Sequence, residues 1–483
     1  MNRRFFKPAL ALVMAALLVA AGFIQRGLNR DRETMGLNRY VELKGAPPVL
    51  ALTTVALGGF RGLIANALWI RAMELQEQDK FFEKVQLADW IVKLEPHYTH
   101  VWTVQAWDMA YNISVKFSDP ADRWRWVRAG IVLLRDEGIH YNPDSVLLYR
   151  ELSWFFQHKM GANLDDANMF YRRAWAEEMN PLLGTNYVDL IDPQTEEQKE
   201  RARVLRGEYK MDPAFMKELD GKYGPLEWRL PESHAIYWAA LGKEKAANNG
   251  EDLMPLRRSV YQSMQTAVMR GGFDFDKLSG SIIIGPNLDM SANANATYEE
   301  MMAEDVENRP NIQTAHKNFL RRLPFYLYTA GRNSEAAYWF KYLKEKYPDS
   351  VRPGMTLEDY VVSRVAEVAS ETNVDQSRLI VENYLGLAFI EMATGDQDRA
   401  ANYERIAHAI WARHNSEIGG GAAFVRVGLP DFDLMKRTVL EKMTGPESRI
   451  RPELLAHLRA FYRVPVPAPA GPAGTNAPAM APK

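Results

Sequence analysis

Apolar and aromatic residues recur at three- and four-residue intervals from Leu68 to about Pro181, with few of the alternating runs that strands need. That periodicity predicts one helix after another. In FFEKVQLADWIVKLEP (Phe81 to Pro96), Phe82, Val85, Ala88, Asp89 and Val92 fall at such spacings, and the segment stops at a proline that cannot continue a helix. The ending recurs. Asn142-Pro143 closes RWRWVRAGIVLLRDEGIHYNP and Asn180-Pro181 closes LDDANMFYRRAWAEEMNP, each preceded by another helical stretch, VWTVQAWDMAYNISV or VLLYRELSWFFQHKM. Three helix hairpins in series are predicted, with Trp90, Trp107, Trp154 and Trp339 at packing positions. Hairpins that cannot bury their apolar faces alone point to a helical solenoid.

Two apolar runs precede this body. The first, FFKPALALVMAALLVAAGFI from Phe5 to Ile24, follows Arg3 and Arg4 and carries one charge, Lys7, near its start. It has about the ~20 residues a helix needs to cross a bilayer. A retained anchor is expected; a cleaved export signal is the alternative, since Val19 and Ala21 satisfy a small-residue cleavage pattern. The later flank (Arg26, Arg30, Arg32, Arg39, Lys44) is richer in cations than the leader, which by charge alone favours a cytoplasmic body. The layout of short basic leader and apolar run is that of an export signal, so a single-pass inner-membrane protein with an extracytoplasmic body is expected. The second run, Pro47 to Ile70, contains Arg61, Asn66 and the Gly58-Gly59 pair, and makes a poor span. It reads as the first buried helix of the body, with a membrane-surface segment as the alternative.

In NFLRRLPFYLYTAGRNSEAAYWFKYLKEKYP (Asn318 to Pro348), Gly331 marks a turn between helices, and Ala336, Phe340 and Pro348 fall at small, aromatic and proline positions. In ENYLGLAFIEMATGDQDRAANYERIAHAIWARH (Glu382 to His414), Leu387, Gly395, Ala400 and Ala407 match the same pattern, while Glu404 stands where an aromatic is usual. These segments resemble the tetratricopeptide repeat family. The early hairpins resemble it in architecture only, since Pro96 to Pro143 is 47 residues and Pro143 to Pro181 is 38, against about 34 for the family. Over residues 50–250, YNPDSVLLYRELSWFFQHKMG and MDPAFMKELDGKYGPLEWRLPESHAIYWAALG resemble an uncharacterised group of bacterial membrane-anchored helical-repeat proteins, which implies fold and placement but no activity. The resulting expectation is an all-α, divergent helix-hairpin solenoid behind one N-terminal transmembrane helix. Its parts are the anchor or signal (1–27), a divergent repeat region (46–250), a helical segment with a long insertion (251–317), C-terminal tetratricopeptide-like repeats (318–463) and a Pro/Ala-rich disordered tail (464–483). Residues 349–380 are expected to add a helix between the last two repeats.

Composition narrows the chemistry. The chain has 483 residues, is 47% hydrophobic and balances 59 Lys and Arg against 61 Asp and Glu, so no overall field draws it to nucleic acid. Cysteine is absent, which excludes disulfides, thiolate metal sites and a cysteine nucleophile. No GxxxxGK phosphate loop, GxSxG elbow or HExxH pair is present. His97 with His100 falls in a turn, and His408 with His414 lies on different helix faces, so no metal site is expected, and no cofactor. Glu151 in YRELSW is the carboxylate to weigh for glycan cleavage, but no second carboxylate is tied to it by spacing. DRWRWVR (Asp122 to Arg128) interleaves cations with indoles; helical geometry turns Trp124, Val127 and Ile131 to one side and Arg125 and Arg128 to another, a core stripe beside a solvated basic one. The Gly-, Asn- and Asp-rich stretch 271–311 is too long for an ordinary connection and is the first place to seek a binding element. The expected function is a scaffold or adaptor binding a protein or peptide partner, without catalytic residues. An envelope glycan-binding protein or glycan-cleaving enzyme using 271–311 is the alternative, and a subunit of a transport or secretion assembly a variant of the first.

Overall fold

The computed structural model describes residues 61–464, apart from 163, 185, 247–249, 276, 278–281, 370–373, 419–427, 447 and 449, together with most of 16–31. The apolar run before residue 16, residues 47–60 of the second run and the Pro/Ala-rich tail therefore lie outside the described residues. Among the described residues the fold is all-α except for one two-stranded hairpin, and no helix is long and apolar enough to cross a membrane. The chain divides into two compact units, Met1–Ile113 and Ser114–Lys483.

In the first unit, α1 (Arg61–Glu77) packs on α2 (Phe81–Leu94), and α2 on α3 (Thr99–Trp107). α2 ends two residues before Pro96, whose carbonyl accepts from the buried Trp102 indole at 2.8 Å. The inward face of α2 is not the stripe the periodicity suggests: Phe82 is exposed, and Lys84, Ala88, Ile91 and Val92 are buried. Lys84 turns inward, where Asp108 meets it at 2.5 Å and Gln76 accepts from it at 2.7 Å, so its buried charge is paired. Trp90 and Trp107 are 40% and 38% exposed, against the expected packing role; Trp107 stacks on Tyr111 at 4.0 Å instead.

The second unit begins with α4 (Pro120–Val132), α5 (Val146–Trp154), α6 (Asn168–Leu183), α7 (Glu196–Gly207), α8 (Pro213–Tyr223), α9 (Pro231–Ala246) and α10 (Gly250–Arg270). The antiparallel strands β1 (Gly272–Phe275) and β2 (Ile282–Gly285) follow, with Phe273 opposite Ile284 and Asp274 opposite Ile283. Then come α11 (Ser291–Glu304), α12 (Arg309–Thr329), α13 (Asn333–Lys346), α14 (Leu357–Ala369), α15 (Val374–Ala393), α16 (Gln397–Ile418), α17 (Phe432–Thr444) and α18 (Pro452–Tyr462). Most helices pack on their neighbours in chain order, as helix hairpins require; α9 also packs along α5, and α14 lies against both α12 and α16. The α12–α13 and α15–α16 turns are made by Gly331 and Gly395 at φ +76° and +95°, a left-handed backbone that glycine alone adopts without cost. Pro181 does not end its helix: it sits in the last turn of α6, where its missing N–H forfeits only one intrahelical bond. α12 runs unbroken through the boundary expected at 317/318.

Three helices continue without a break into six-residue π-helical segments, Asp108–Ile113, Leu133–Gly138 and Phe155–Met160. Each holds one buried charge: Asp108, Arg135 and Lys159. Lys159 reaches Asp165 at 2.6 Å, and Arg135 lies 5.1 Å over the Tyr209 ring.

The interior where α5, α6, α9 and α10 meet is aromatic and charged together. Trp175 contacts Phe156, His234 and Tyr209 edge-on at 5.1, 4.9 and 6.0 Å. Beside it the fully buried Arg172 forks onto the buried Glu232, with one bond at 3.1 Å, and donates to the Arg270 carbonyl at 2.6 Å. His234 bonds the Trp228 carbonyl at 2.8 Å, and burial pushes its imidazole down to about 3.

Candidate functional site

A groove of about 880 Å³ is lined by α14, α16, the start of α17 and Tyr328 of α12. One wall is built by local sequence. Arg352–Met355 forms a β-turn around Pro353-Gly354, closed by the Met355 N–H onto the Arg352 carbonyl at 3.2 Å. Thr356 and Asp359 then cap α14 reciprocally, the Asp359 N–H on the Thr356 hydroxyl at 3.1 Å and the Thr356 N–H on the Asp359 carboxylate at 3.3 Å. The opposite wall is fixed by the buried Asn402, which donates to the Tyr328 carbonyl at 2.7 Å and to Asn333 at 2.6 Å. Arg405 donates to the Tyr328 hydroxyl at 3.0 Å, and that bond raises its already high pKa.

Val361 and Ile406 are buried in the groove's lining, while Arg352, Arg405 and Arg413 face Glu358, Asp359 and Glu404 around it. Glu404 is held by Lys436 at 2.5 Å. His408 is exposed at the rim and stands edge-on to Phe432 at 4.9 Å. An apolar lining bordered by both signs of charge suits a peptide segment, whose backbone and side chains present donors, acceptors and apolar surface together.

The stretch 271–311 is only partly the irregular insertion the sequence suggests. After the hairpin it forms α11, whose Ser291, Ala294, Tyr298 and Met301 are buried at helical spacing. The asparagines that disguise this stripe each find a partner: Asn287 donates to the Pro225 carbonyl at 2.8 Å, Asn293 to the Gly224 carbonyl at 2.6 Å, and the Asn295 amide oxygen accepts from His316 Nε2 at 2.8 Å. The hairpin itself borders a second concavity, about 800 Å³, with Phe273, Ile283 and Ile284 facing Met169, Arg173, Ala176 and Glu177 of α6. Arg229 lies 4.6 Å over the Phe273 ring while bonded to Glu227 at 2.7 and 2.8 Å. At the hairpin's far end, Lys277 crosses to α15 and meets the buried Glu391 at 2.5 Å and Thr394 at 2.9 Å. Lys277→Met is expected to cost about 1 kcal/mol in urea unfolding, because Glu391 keeps a weaker cation, Arg399, at 3.6 Å.

The other residues singled out from sequence are placed as follows. Glu151 is paired with its neighbour Arg150 at 3.0 Å. His97 is exposed in the turn before α3, and His100 is exposed in the first turn of α3 itself. In DRWRWVR, Trp124 packs on Tyr171 and Trp175, and Val127 and Ile131 are buried. Arg125 and Arg128 are exposed, as a solvated stripe requires, paired with Asp122 at 2.7 Å and with Glu178 through bonds of 2.8 to 3.1 Å, whereas Arg123, outside that stripe, is buried against Asp165 and Asp166, both at 2.7 Å. Among the described residues no group of three or more His, Asp or Glu is placed to hold a metal ion.

Comparison with known protein families, curated proteins and solved structures finds no match. The fold defines an all-α protein, and function must be argued from its own surfaces.

Proposed function

We propose that this chain is a membrane-anchored scaffold or adaptor of the bacterial envelope that holds a segment of a protein partner on a tetratricopeptide-like solenoid. The groove between α14 and α16 carries the reading: it is peptide-sized, apolar at its base and bordered by both charges. The serial packing of helix hairpins supports a solenoid, an architecture that presents extended grooves. The N-terminal apolar run supports an anchor, with the body outside the inner membrane.

The test is in-cell crosslinking of the full-length chain, followed by identification of what is captured. A stoichiometric partner is expected with the parent chain, and its recovery should fall about tenfold, ~1.4 kcal/mol, in Arg352→Glu/Glu358→Lys. Both positions are exposed, so the fold should keep its thermal midpoint. Equal capture by the double variant would move the contact elsewhere, and no partner at all would sink the scaffold reading. Deleting 271–311 is a poor control, since Tyr298 and Met301 would leave the core with it.

A further inference from the structure

The concavity between the hairpin and α6 has one helical wall and one strand wall. The helical wall is a single stripe of α6, with Met169, Arg173, Ala176, Glu177 and Asn180 at i, i+4, i+7, i+8 and i+11. Met169 is 51% exposed, and on the strand wall Ile283 is 44% exposed. Consecutive residues of a strand send their side chains to opposite faces. The concavity reaches Ile283 as well as Ile284, so it takes in the margin of β2 and not one face alone. On the β1 side the space is filled: Arg229 covers the Phe273 ring and donates to Asn180 at 3.2 Å, which ties the hairpin to the last turn of α6.

We infer that β2 takes an extended segment of a partner protein as a third strand, seated between β2 and α6. Three observations choose that occupant. Among the described residues the sheet has two strands only, so each keeps an edge whose N–H and C=O groups point away from the pair. A second extended backbone supplies donors and acceptors in the matching alternation. An edge that stays bare is ordinarily guarded by a charge, a proline or a bulge, but Ile282–Gly285 (IIIG) has no charge or proline and pairs with β1 in unbroken register. The third observation is the charge on the helical wall. Arg173 and Glu177 are exposed there, and neither pairs with a charge among the described residues. Met169, Arg173 and Glu177 follow one another at about 6 Å along the helix axis, and alternate residues of a strand are about 6.6 Å apart. Alternate side chains of the added strand therefore meet these three in order. The ligand is about five extended residues in the pattern apolar-x-acid-x-base, read forwards or backwards according to the strand's direction. The hairpin is held in place beforehand, by Arg229 on one side and by Lys277 on Glu391 at its far end, so little ordering is left to the binding step. This site is separate from the groove between α14 and α16 and does not depend on what occupies it.

The test is selection of random phage-displayed heptapeptides on the full-length chain in detergent, with two variants beside it. The parent chain should enrich the apolar-x-acid-x-base order in one reading direction, and Arg352→Glu/Glu358→Lys should enrich it equally. Arg173→Glu/Glu177→Arg should keep the thermal midpoint, since both positions are exposed, and enrich the order with acid and base exchanged. The selected peptide, synthesised free, should bind that variant about tenfold more weakly and recover when its own two charges are exchanged. Methylating its backbone nitrogens one at a time should weaken binding about tenfold at the alternate positions that face β2 and leave the others unchanged. Enrichment of no pattern, or of the same pattern by the charge-exchanged variant, would overturn the inference. So would a pattern lost in Arg352→Glu/Glu358→Lys, which would belong to the other groove. A peptide that tolerates methylation throughout would lie on the wall without adding a strand, and self-association of the chain that the peptide displaces would give the edge to a second copy; either result would also overturn it.

Discussion

Glu232→Ala should destabilise the second unit by roughly 3–5 kcal/mol, the cost of leaving one member of a buried ion pair without its partner. Arg172 is wholly buried, and without the carboxylate it keeps only the Arg270 carbonyl for a fixed positive charge. Charge and geometry separate in a second variant. Arg172→Met/Glu232→Leu replaces both ions by apolar groups of similar bulk, and it should recover most of the loss, because neither desolvated charge remains. Equilibrium unfolding in urea measures both. A loss under 1 kcal/mol for the single variant would mean that water reaches the pair and that the interior around Trp175 is not sealed.

Acid should weaken the same unit well before its carboxylates titrate. His234 is pushed down to about 3 and His316 to about 4, in both cases chiefly by burial. An unfolded histidine titrates near 6.5, so below that pH the unfolded chain takes up protons that the folded chain refuses. Stability is therefore complete above about pH 6.5 and declines as the pH falls towards 4. For His316 the contribution is on the order of 3 kcal/mol, at 1.36 kcal/mol per pH unit. The geometry agrees: its two ring nitrogens are held by Tyr347 and Asn295 at 2.9 and 2.8 Å in an interior stacked on Tyr298. Urea midpoints at pH 7.5 and pH 5 test this. His316→Gln should start less stable and lose less between the two pH values; an unchanged pH slope would show that the ring is not the group responsible.

The helical class was legible because apolar periodicity is a local property, and so were the two interhelical glycines and the helix stops before Pro96 and Pro143. What stayed hidden depends on partners distant in sequence. Lys84 reads as a surface residue until Asp108 supplies its counter-charge. Arg123 gives no local sign of its burial, because the acids that hold it, Asp165 and Asp166, lie more than forty residues away. Helix α11 was missed because asparagine is common in loops, and only its bonds to Gly224 and to His316 reconcile it with a helix. The groove between α14 and α16 had no sequence sign beyond the extra helix expected in 349–380 and the single residue His408. Its lining comes from four separate helices, and a linear pattern cannot show their convergence.

The three π-helical segments bear on how the chain can be aligned with others. A π turn is an α-helical turn holding one residue too many. Removing one residue from Leu133–Gly138 would return that helix to ordinary winding and leave the residues after it on nearly the same faces, because the wider turn has already taken up the extra residue. The extra residue is thus accommodated inside each helix rather than in a loop. A pattern of fixed period slides out of phase at each of them, so similarity to repeat sequences should be sought in short blocks that restart after residues 113, 138 and 160.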